Sequence, residues 1–572
     1  MKILLVGVNA KYIHSNPAIY SLRSYAKEYW NNIEIAEYTI NNYLEDIIGD
    51  IYKKKPDVLT FSCYIWNWNI IQDIFEELHQ LLPEVPIWLG GPEVSFDAKD
   101  ILYKYPYIKG IMVGEGEETF RNLATYYIKG EGSLEDLKGI VTKKYDLKVQ
   151  DMLSLNVVPF FYDDLSVFKN RIIYYESMRG CPFRCSYCLS SIDKTLRIRD
   201  LQLVKKELQF FLDQKVSQVK FIDRTFNCKH EHAIAIWKYI YENDNGITNF
   251  HFEIAATILN EEEIKLLNKM RPGLVQLEIG VQTTNPLTIK AINRVMDVEK
   301  LECIVKRIKE GNNIHQHLDL IAGLPYENLE SFQNSFNTVY RMRPEQLQLG
   351  FLKVLKGTNM CKNKEAYGLV YTKKPPYEVL YTKWISYEDI LALKQVEKMV
   401  ELFYNSSQFL NSLLQLEKVF ASPYELYYEM AKYFVKMGYF IKSPARAYRY
   451  QIFYQFAILK DPLNEKQYAE RLTHDMYLRE NLKSRMEFMS VEFSIEEKER
   501  IRAFYRKEEV EPTYLIHYKG YSHQQMAKMT HIEKYETFEK GIQYLLYDYQ
   551  ERDALTNEVK TFILKEKGTE LF

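Results

Sequence analysis

Arg179-Gly180-Cys181-Pro182-Phe183-Arg184-Cys185-Ser186-Tyr187-Cys188 is the stretch around which this chain is organised. It places three of the seven cysteines within eight residues, spaced four and then three apart. An apolar, strand-like run from Ile172 to Met178 leads into it. A loop leaving a strand can aim three sulfurs at one metal centre, so Cys181, Cys185 and Cys188 are the candidate metal ligands. Three is the informative count. A structural zinc site closes with four ligands, so this motif alone would need a distant partner. A cubane iron–sulfur cluster also ordinarily takes four cysteines, and one held by three keeps an iron open.

The CxxxCxxC spacing, with Tyr187 before the last cysteine, resembles the radical S-adenosylmethionine (SAM) superfamily. The resemblance implies a [4Fe–4S] cluster on the three cysteines, SAM chelating the open iron, and reductive cleavage of SAM to a 5′-deoxyadenosyl radical. It also implies an electron donor such as flavodoxin or ferredoxin.

Strand-like runs recur behind the cysteine loop at 216–222, 250–255, 274–281, 314–321 and 346–351, each followed by a helical stretch. With 172–178 they give six βα units over residues 169–370, the partial (β/α)6 barrel of that superfamily. Working residues of parallel barrels come from the carboxyl ends of the strands. There the chain offers Asp223 and Thr225 in the second unit, Glu253 in the third, Gln282 with Arg294 in the fourth, and Asp319 in the fifth. The segments with Gln282, Arg294 and Asp319 resemble the SAM-contacting segments of the oxygen-independent coproporphyrinogen oxidase branch, and the Asp223–Asn227 segment resembles that of cobalamin-type members. By that resemblance Arg294 pairs the SAM carboxylate, Gln282 and Asp319 meet the ribose or nearby polar atoms, and Tyr187, Asp223, Thr225 and Glu253 complete the SAM-binding set. The reading that uses no ligand is a set of salt bridges inside the barrel.

Residues 1–145 alternate strand and helix: apolar strands at 2–8, 33–37, 58–62, 87–89 and 110–113, with a helix opened by Asn16 and Pro17. That pattern predicts a doubly wound, Rossmann-like parallel sheet whose ligand lies at the carboxyl edge. The loops at this edge carry Asn9, Ser62, Tyr64, Gly90-Gly91-Pro92-Glu93 and Gly114-Glu115-Gly116-Glu117. The layout resembles the cobalamin-binding domain fused ahead of many radical SAM enzymes, which makes Asn9, Ser62, Tyr64, Gly90, Gly91, Glu93, Gly114 and Glu115 candidate cobalamin contacts. Cobalamin proteins that ligate cobalt with histidine carry Asp-x-His-x-x-Gly after the first strand. Here the segment reads Asn9-Ala10-Lys11-Tyr12-Ile13-His14. The expectation is therefore a lower cobalt face without histidine, covered by Tyr64, Trp66 or Trp68. The commonest outcome in the resembling group is methyl transfer; other members close rings or oxidise.

Residues 146–168 read as a linker, and 371–572 as a mostly helical C-terminal domain with helix starts at Ser386 and Ser494. The stretch around Tyr381–Tyr404 resembles a C-terminal extension of unassigned role on some cobalamin-type radical SAM proteins. Arg446 to Tyr454 interleaves cations with aromatics and reads as a helix–helix contact.

The 75 basic residues nearly cancel the 77 acidic ones, which argues against a nucleic-acid partner. No apolar run reaches membrane-spanning length, and the odd, clustered cysteines suit a reducing cytoplasm. Residues 1–145 hold only Cys63, against the three front-domain cysteines of tRNA methylthiotransferases. The functional reading is thus a radical SAM enzyme, expected to be a cobalamin-dependent C-methyltransferase. Two readings stay open beside it: an oxidoreductase or cyclase that does not use cobalamin as a methyl carrier, and a zinc-dependent binding module.

Overall fold

The computed structural model describes residues 1–489, 493–537, 542–566 and 569–570. The chain forms two compact units. One comprises residues 1–314, 321–329 and 350–387; the other comprises 315–320, 330–349 and 388–572.

The first sheet is built from β1 (Ile3–Asn9), β2 (Ile33–Thr39), β3 (Val58–Ser62), β4 (Ile87–Gly90), β5 (Ile108–Met112) and β6 (Ile140–Val141). Its order is β2-β1-β3-β4-β5-β6, all parallel except the antiparallel edge strand β6. Every residue of β1 is buried, as a strand with helices on both faces requires. The chain order reverses between β1 and β3, so loops on opposite sides part there and leave a crevice at the carboxyl edge. The β6 edge strand had no signal in the sequence, because two residues are too few to show a period.

The second sheet contains β7 (Ile173–Tyr175), β10 (Gln218–Phe221), β11 (Asn249–Ile254), β12 (Val275–Gln282), β13 (His315–Ala322) and β14 (Gln346–Phe351), in the order β14-β13-β12-β11-β10-β7. Spatial and chain order agree, which is the arrangement of successive βα units. Between β7 and β10 a small antiparallel ladder, β8 (Met178–Arg179) with β9 (Arg197–Ile198), draws the cysteine segment into a closed loop. Gly180 sits at its neck with φ +96°, and a Cβ there would lie 2.4 Å from the Thr195 carbonyl oxygen. Only glycine satisfies both the dihedral and the space. A further short pair, β15 (Val370–Tyr371) with β16 (Val379–Tyr381), follows the barrel.

The second unit is rich in helix. The helix Tyr387–Met399 begins directly after Ser386, and its stripe Ile390, Leu393 and Val396 is buried. Ser494 and Glu497 make the reciprocal capping bonds expected of them. Tyr450 and Phe453 of the cation–aromatic stretch pack on Phe409, at ring separations of 4.5 and 5.3 Å, so this stretch serves helix packing. The sequence reading missed a three-stranded antiparallel sheet: β17 (Thr530–Tyr535), β18 (Gln543–Arg552) and β19 (Val559–Ile563). β18 buries five consecutive residues, Tyr544–Asp548, on both faces; a run without alternation does not declare itself a strand.

Candidate functional site

The cysteine loop is held from behind. The Asp223 carboxylate, fully buried after β10, accepts from the Ser177 and Met178 amides at 2.9 and 3.1 Å and from the Ser177 hydroxyl at 2.5 Å. Burial pushes the Asp223 carboxyl up to about 7 against the pull of those donors. On the far side the Ser186 amide donates to the Ile292 carbonyl, and the Ser186 carbonyl accepts from the Met360 amide. Both ends of the motif are therefore anchored to the barrel before any ligand enters.

Cys181, Cys185 and Cys188 line one cavity of about 130 Å³, with Tyr187, Thr225, Glu253, Gln282 and Arg294 in its wall. The structure thus brings together the three cysteines and five of the seven residues expected around SAM. Among the described residues no three His, Cys, Asp or Glu side chains gather about a single-ion position. Arg294 lies 3.8 Å from the Cys185 sulfur, donates to the Tyr187 hydroxyl at 3.2 Å, and also reaches the Gly280 carbonyl. Burial works against its charge, but the Tyr187 and Cys185 groups more than offset this and hold the guanidinium cationic.

The donor set fits a cluster and its SAM ligand on a second ground. Gln282 Oε1 and Arg294 Nε are buried without a hydrogen-bond partner among the described residues. Gln282 also takes φ +75°, a left-handed conformation that a β-strand end adopts only when the surroundings impose it. Orphaned buried polar atoms in a cavity wall call for polar atoms of a ligand.

One expected residue sits elsewhere. Asp223 stands behind the loop, its oxygens occupied by Ser177 and Met178, and does not line the cavity. Asp319 lies on the part of β13 that belongs to the second unit, its Oδ1 3.1 Å from His317 Nε2. Glu278, on β12, is held far below the usual carboxylate range. Burial opposes that shift, while His251 and Lys220, each at 3.0 Å, overcome it.

At the carboxyl edge of the first sheet lies a cavity of about 720 Å³, well within the range of organic cofactor sites. Ser62, Tyr64, Gly90, Gly91 and Gly114 line it. Gly91 has φ +110°, and a Cβ there would lie 2.4 Å from the Cys63 carbonyl oxygen, so this loop cannot be built around a side chain. Tyr64 stacks on Trp66, 4.3 Å between rings, and burial pushes its phenol up. Among the described residues no histidine lines this cavity, and His14 instead bonds the Tyr174 hydroxyl at 2.6 Å. Trp68 corrects an expectation: it is buried on the first turn of the helix Trp68–Leu81, in the sheet's core, and not in the cavity wall.

The remaining candidates are structural or peripheral to this cavity. Asn9 donates to Glu37 and to the His14 carbonyl, closing the turn after β1. Glu115 lines an adjoining cavity of about 360 Å³ and is ion-paired to Arg197 and Arg179. Burial opposes ionisation of Glu115, but those two arginines hold its carboxyl below the ordinary range. Glu93, buried, accepts from Tyr377 and pairs with Lys356 at 3.1 Å.

What the sequence reading did not find is how the two regions meet. Residues just past the cysteines, Leu189, Ile192 and Asp193, form part of the wall of the 720 Å³ cavity. A third space of about 360 Å³ shares Tyr64, Pro92 and Leu189 with that cavity and Ser190 and Arg224 with the cysteine cavity. The sheet-edge cavity, this space and the cysteine cavity therefore adjoin one another in that order, neighbours sharing wall residues. The alternation of strands gives each module but no distance between them; no local signal marked Leu189, Arg224 or Lys356.

A model of the B12 binding domain matches residues 3–124, a model of the radical SAM superfamily matches residues 175–339, and a family of unknown function, DUF4080, matches residues 365–556. The cobalamin-dependent radical SAM methyltransferase TokK of Streptomyces tokunonensis is 23% identical over 354 residues, covering 56% of this chain and 51% of its own. The anaerobic magnesium-protoporphyrin IX monomethyl ester cyclase of Cereibacter sphaeroides is 22% identical over 333 residues, 53% of this chain and 52% of its own. The chain spans about half the length of these curated relatives. Among solved structures, the cobalamin-dependent SAM radical enzyme OxsB with aqua-cobalamin bound superposes with a TM-score of 0.58 at 15% identity, covering 86% of this chain and 82% of that one. At that identity the likeness is one of fold. No helix among the described residues is long and apolar enough to cross a membrane.

Proposed function

The chain belongs to the cobalamin-binding radical SAM proteins, and from that premise we propose that it is a cobalamin-dependent radical SAM C-methyltransferase. The observation that carries this reading is the row of adjoining cavities from the Gly90-Gly91 edge to the three cysteines, with Leu189 shared by the first two and Ser190 by the last two. A carbon held in that row meets both cofactor regions at once.

In this reading Cys181, Cys185 and Cys188 hold a [4Fe–4S] cluster. Arg294, Gln282, Tyr187, Thr225 and Glu253 receive SAM, and Ser62, Tyr64, Gly90, Gly91 and Gly114 receive cobalamin. Bound together, these groups supply one-electron cleavage of SAM to a 5′-deoxyadenosyl radical and a transferable methyl group. The chain supplies position and dryness. Asp223 fixes the loop that carries the cysteines, Arg294 offers a planar cation to a carboxylate, and Leu189 puts an apolar side chain in the wall between the cofactor regions. Asp319 keeps its expected place at the SAM ribose, Glu115 supports the cysteine loop through Arg179 and Arg197, and an external one-electron donor such as flavodoxin or ferredoxin is required.

Anaerobically prepared protein, given SAM, a reductant and a substrate, is expected to form S-adenosylhomocysteine and 5′-deoxyadenosine in equal amounts, one SAM donating the methyl and another the radical. The similarity to a ring-forming cyclase supplies the alternative. Turnover with 5′-deoxyadenosine but no S-adenosylhomocysteine would replace methyl transfer by cyclisation or oxidation.

A further inference from the structure

We propose that Arg224 is the substrate-anchoring residue and that the substrate carries an anionic group, a carboxylate or a phosphate. The proposal rests on the cofactor reading above and adds to it the chemistry of what is bound between the cofactors.

Arg224 follows the end of β10 and is exposed in sequence between buried Asp223 and buried Thr225. It is one of two residues, with Ser190, that line both the cysteine cavity and the 360 Å³ space leading to the sheet edge. The Tyr64 phenol across that space feels its positive charge. The other charged residues of the space are already committed: Glu93 to Tyr377 and Lys356, and Lys356 to Glu93 at 3.1 Å and Asp97 at 2.7 Å. The neighbouring Asp223 is spent on Ser177 and Met178. Among the described residues the Arg224 guanidinium makes no ion pair or hydrogen bond, unlike Arg179, Arg197, Arg199 and Arg294 around the same loop.

A lone cation at the junction of two cavities, with every nearby carboxylate spoken for, focuses a positive potential on the space between. Guanidinium presents two parallel N–H donors, the geometry that matches carboxylate or phosphate oxygens. Tyr64 and Trp66 in the same wall give the remainder of such a molecule a flat apolar bed. An anion held there would place its carbon skeleton between the sheet-edge cavity and the cysteine cavity. Lys356 shares the wall but not the task, because its charge is neutralised twice over.

The test is isothermal titration calorimetry on the cluster- and cobalamin-loaded, SAM-saturated chain, with inorganic pyrophosphate and citrate as anionic probes and glycerol as the neutral control. Saturable binding of at least one anion, none of glycerol, an affinity about tenfold weaker in Arg224→Gln and part recovery in Arg224→Lys are expected, tenfold being ~1.4 kcal/mol. Equal affinity in wild type and Arg224→Gln, or no saturable binding by wild type, would overturn the proposal. SAM and hydroxocobalamin affinities are measured on the same preparations. A loss in either that matches the loss of probe binding would assign Arg224 to a cofactor's own carboxylate or phosphate and also overturn it. Iron and corrinoid content separate the two levels: a wild-type chain that loads neither removes the cofactor reading itself.

Discussion

Asp223 shows how one side chain can set the geometry of a loop it never enters. Its carboxyl is buried, takes three donors from Ser177 and Met178, and is pushed from 3.8 up to about 7. A carboxyl raised in the folded chain binds its proton there more readily than in the unfolded one, so its contribution to stability is full below pH 4 and is lost as pH climbs through about 7. Asp223→Asn keeps the acceptor for both amides and removes the titration. The melting-temperature lead of wild type over this variant is therefore expected to shrink between pH 5 and pH 8, and a lead that does not change would contradict the assignment. Arg294 is the second residue with a measurable consequence. Arg294→Lys retains the charge but loses the fork, and is expected to weaken SAM about tenfold (~1.4 kcal/mol) by equilibrium dialysis while iron content is kept. Both residues were visible in the sequence, Asp223 just past a strand end and Arg294 in the helical stretch that follows the fourth strand. Their division of labour was not, because strand-end position does not say whether a carboxylate faces the cavity or the loop behind it.

Among elements, the loops matter more than the strands. β1 and β3 could be read from uninterrupted apolar runs, and β7, β10, β11, β12, β13 and β14 from the recurrence of such runs. Trp68 was misread for a physical reason: three aromatics two apart in Tyr64–Trp68 straddle the start of a helix, where the period changes and the last of them turns inward. The contact between the Gly114–Glu117 loop and the cysteine loop was equally hidden. Arg179, just before Gly180, pairs with Glu117 at 2.9 Å, Glu176 at 2.7 Å and Glu115 at 3.4 Å, and Arg197 adds a second link to Glu115. These carboxylates surround a cation that is mostly out of solvent, and its removal would leave them repelling one another. Arg179→Met is expected to cost roughly 3 kcal/mol in urea unfolding, with corrinoid retention falling alongside; a variant as stable as wild type would show that the loops are held by other contacts.

For the whole molecule, the division into units departs from the order of the sequence. Residues 330–349 join 388–572, where Tyr340 bonds the Tyr427 hydroxyl at 3.0 Å and the Glu417 carboxylate, and Phe336 packs edge-on against Tyr424 at 5.7 Å. The helix Leu329–Arg341 reads in sequence as any amphipathic segment, and its period cannot name the partner it packs on. Ending the chain at residue 387 strips that face, so the truncated protein is expected to elute as aggregate in size-exclusion chromatography; a monodisperse monomer would show the tail to be dispensable for folding. The proposed chemistry depends on three thiols presenting a cluster with an open iron to SAM. The most direct measurement is 5′-deoxyadenosine released from SAM on reduction of anaerobically reconstituted protein, compared with the Cys181→Ala/Cys185→Ala/Cys188→Ala variant. Release by wild type with about four iron per chain, and neither iron nor release in the variant, is predicted; a variant that keeps its iron and still releases the nucleoside would contradict the account.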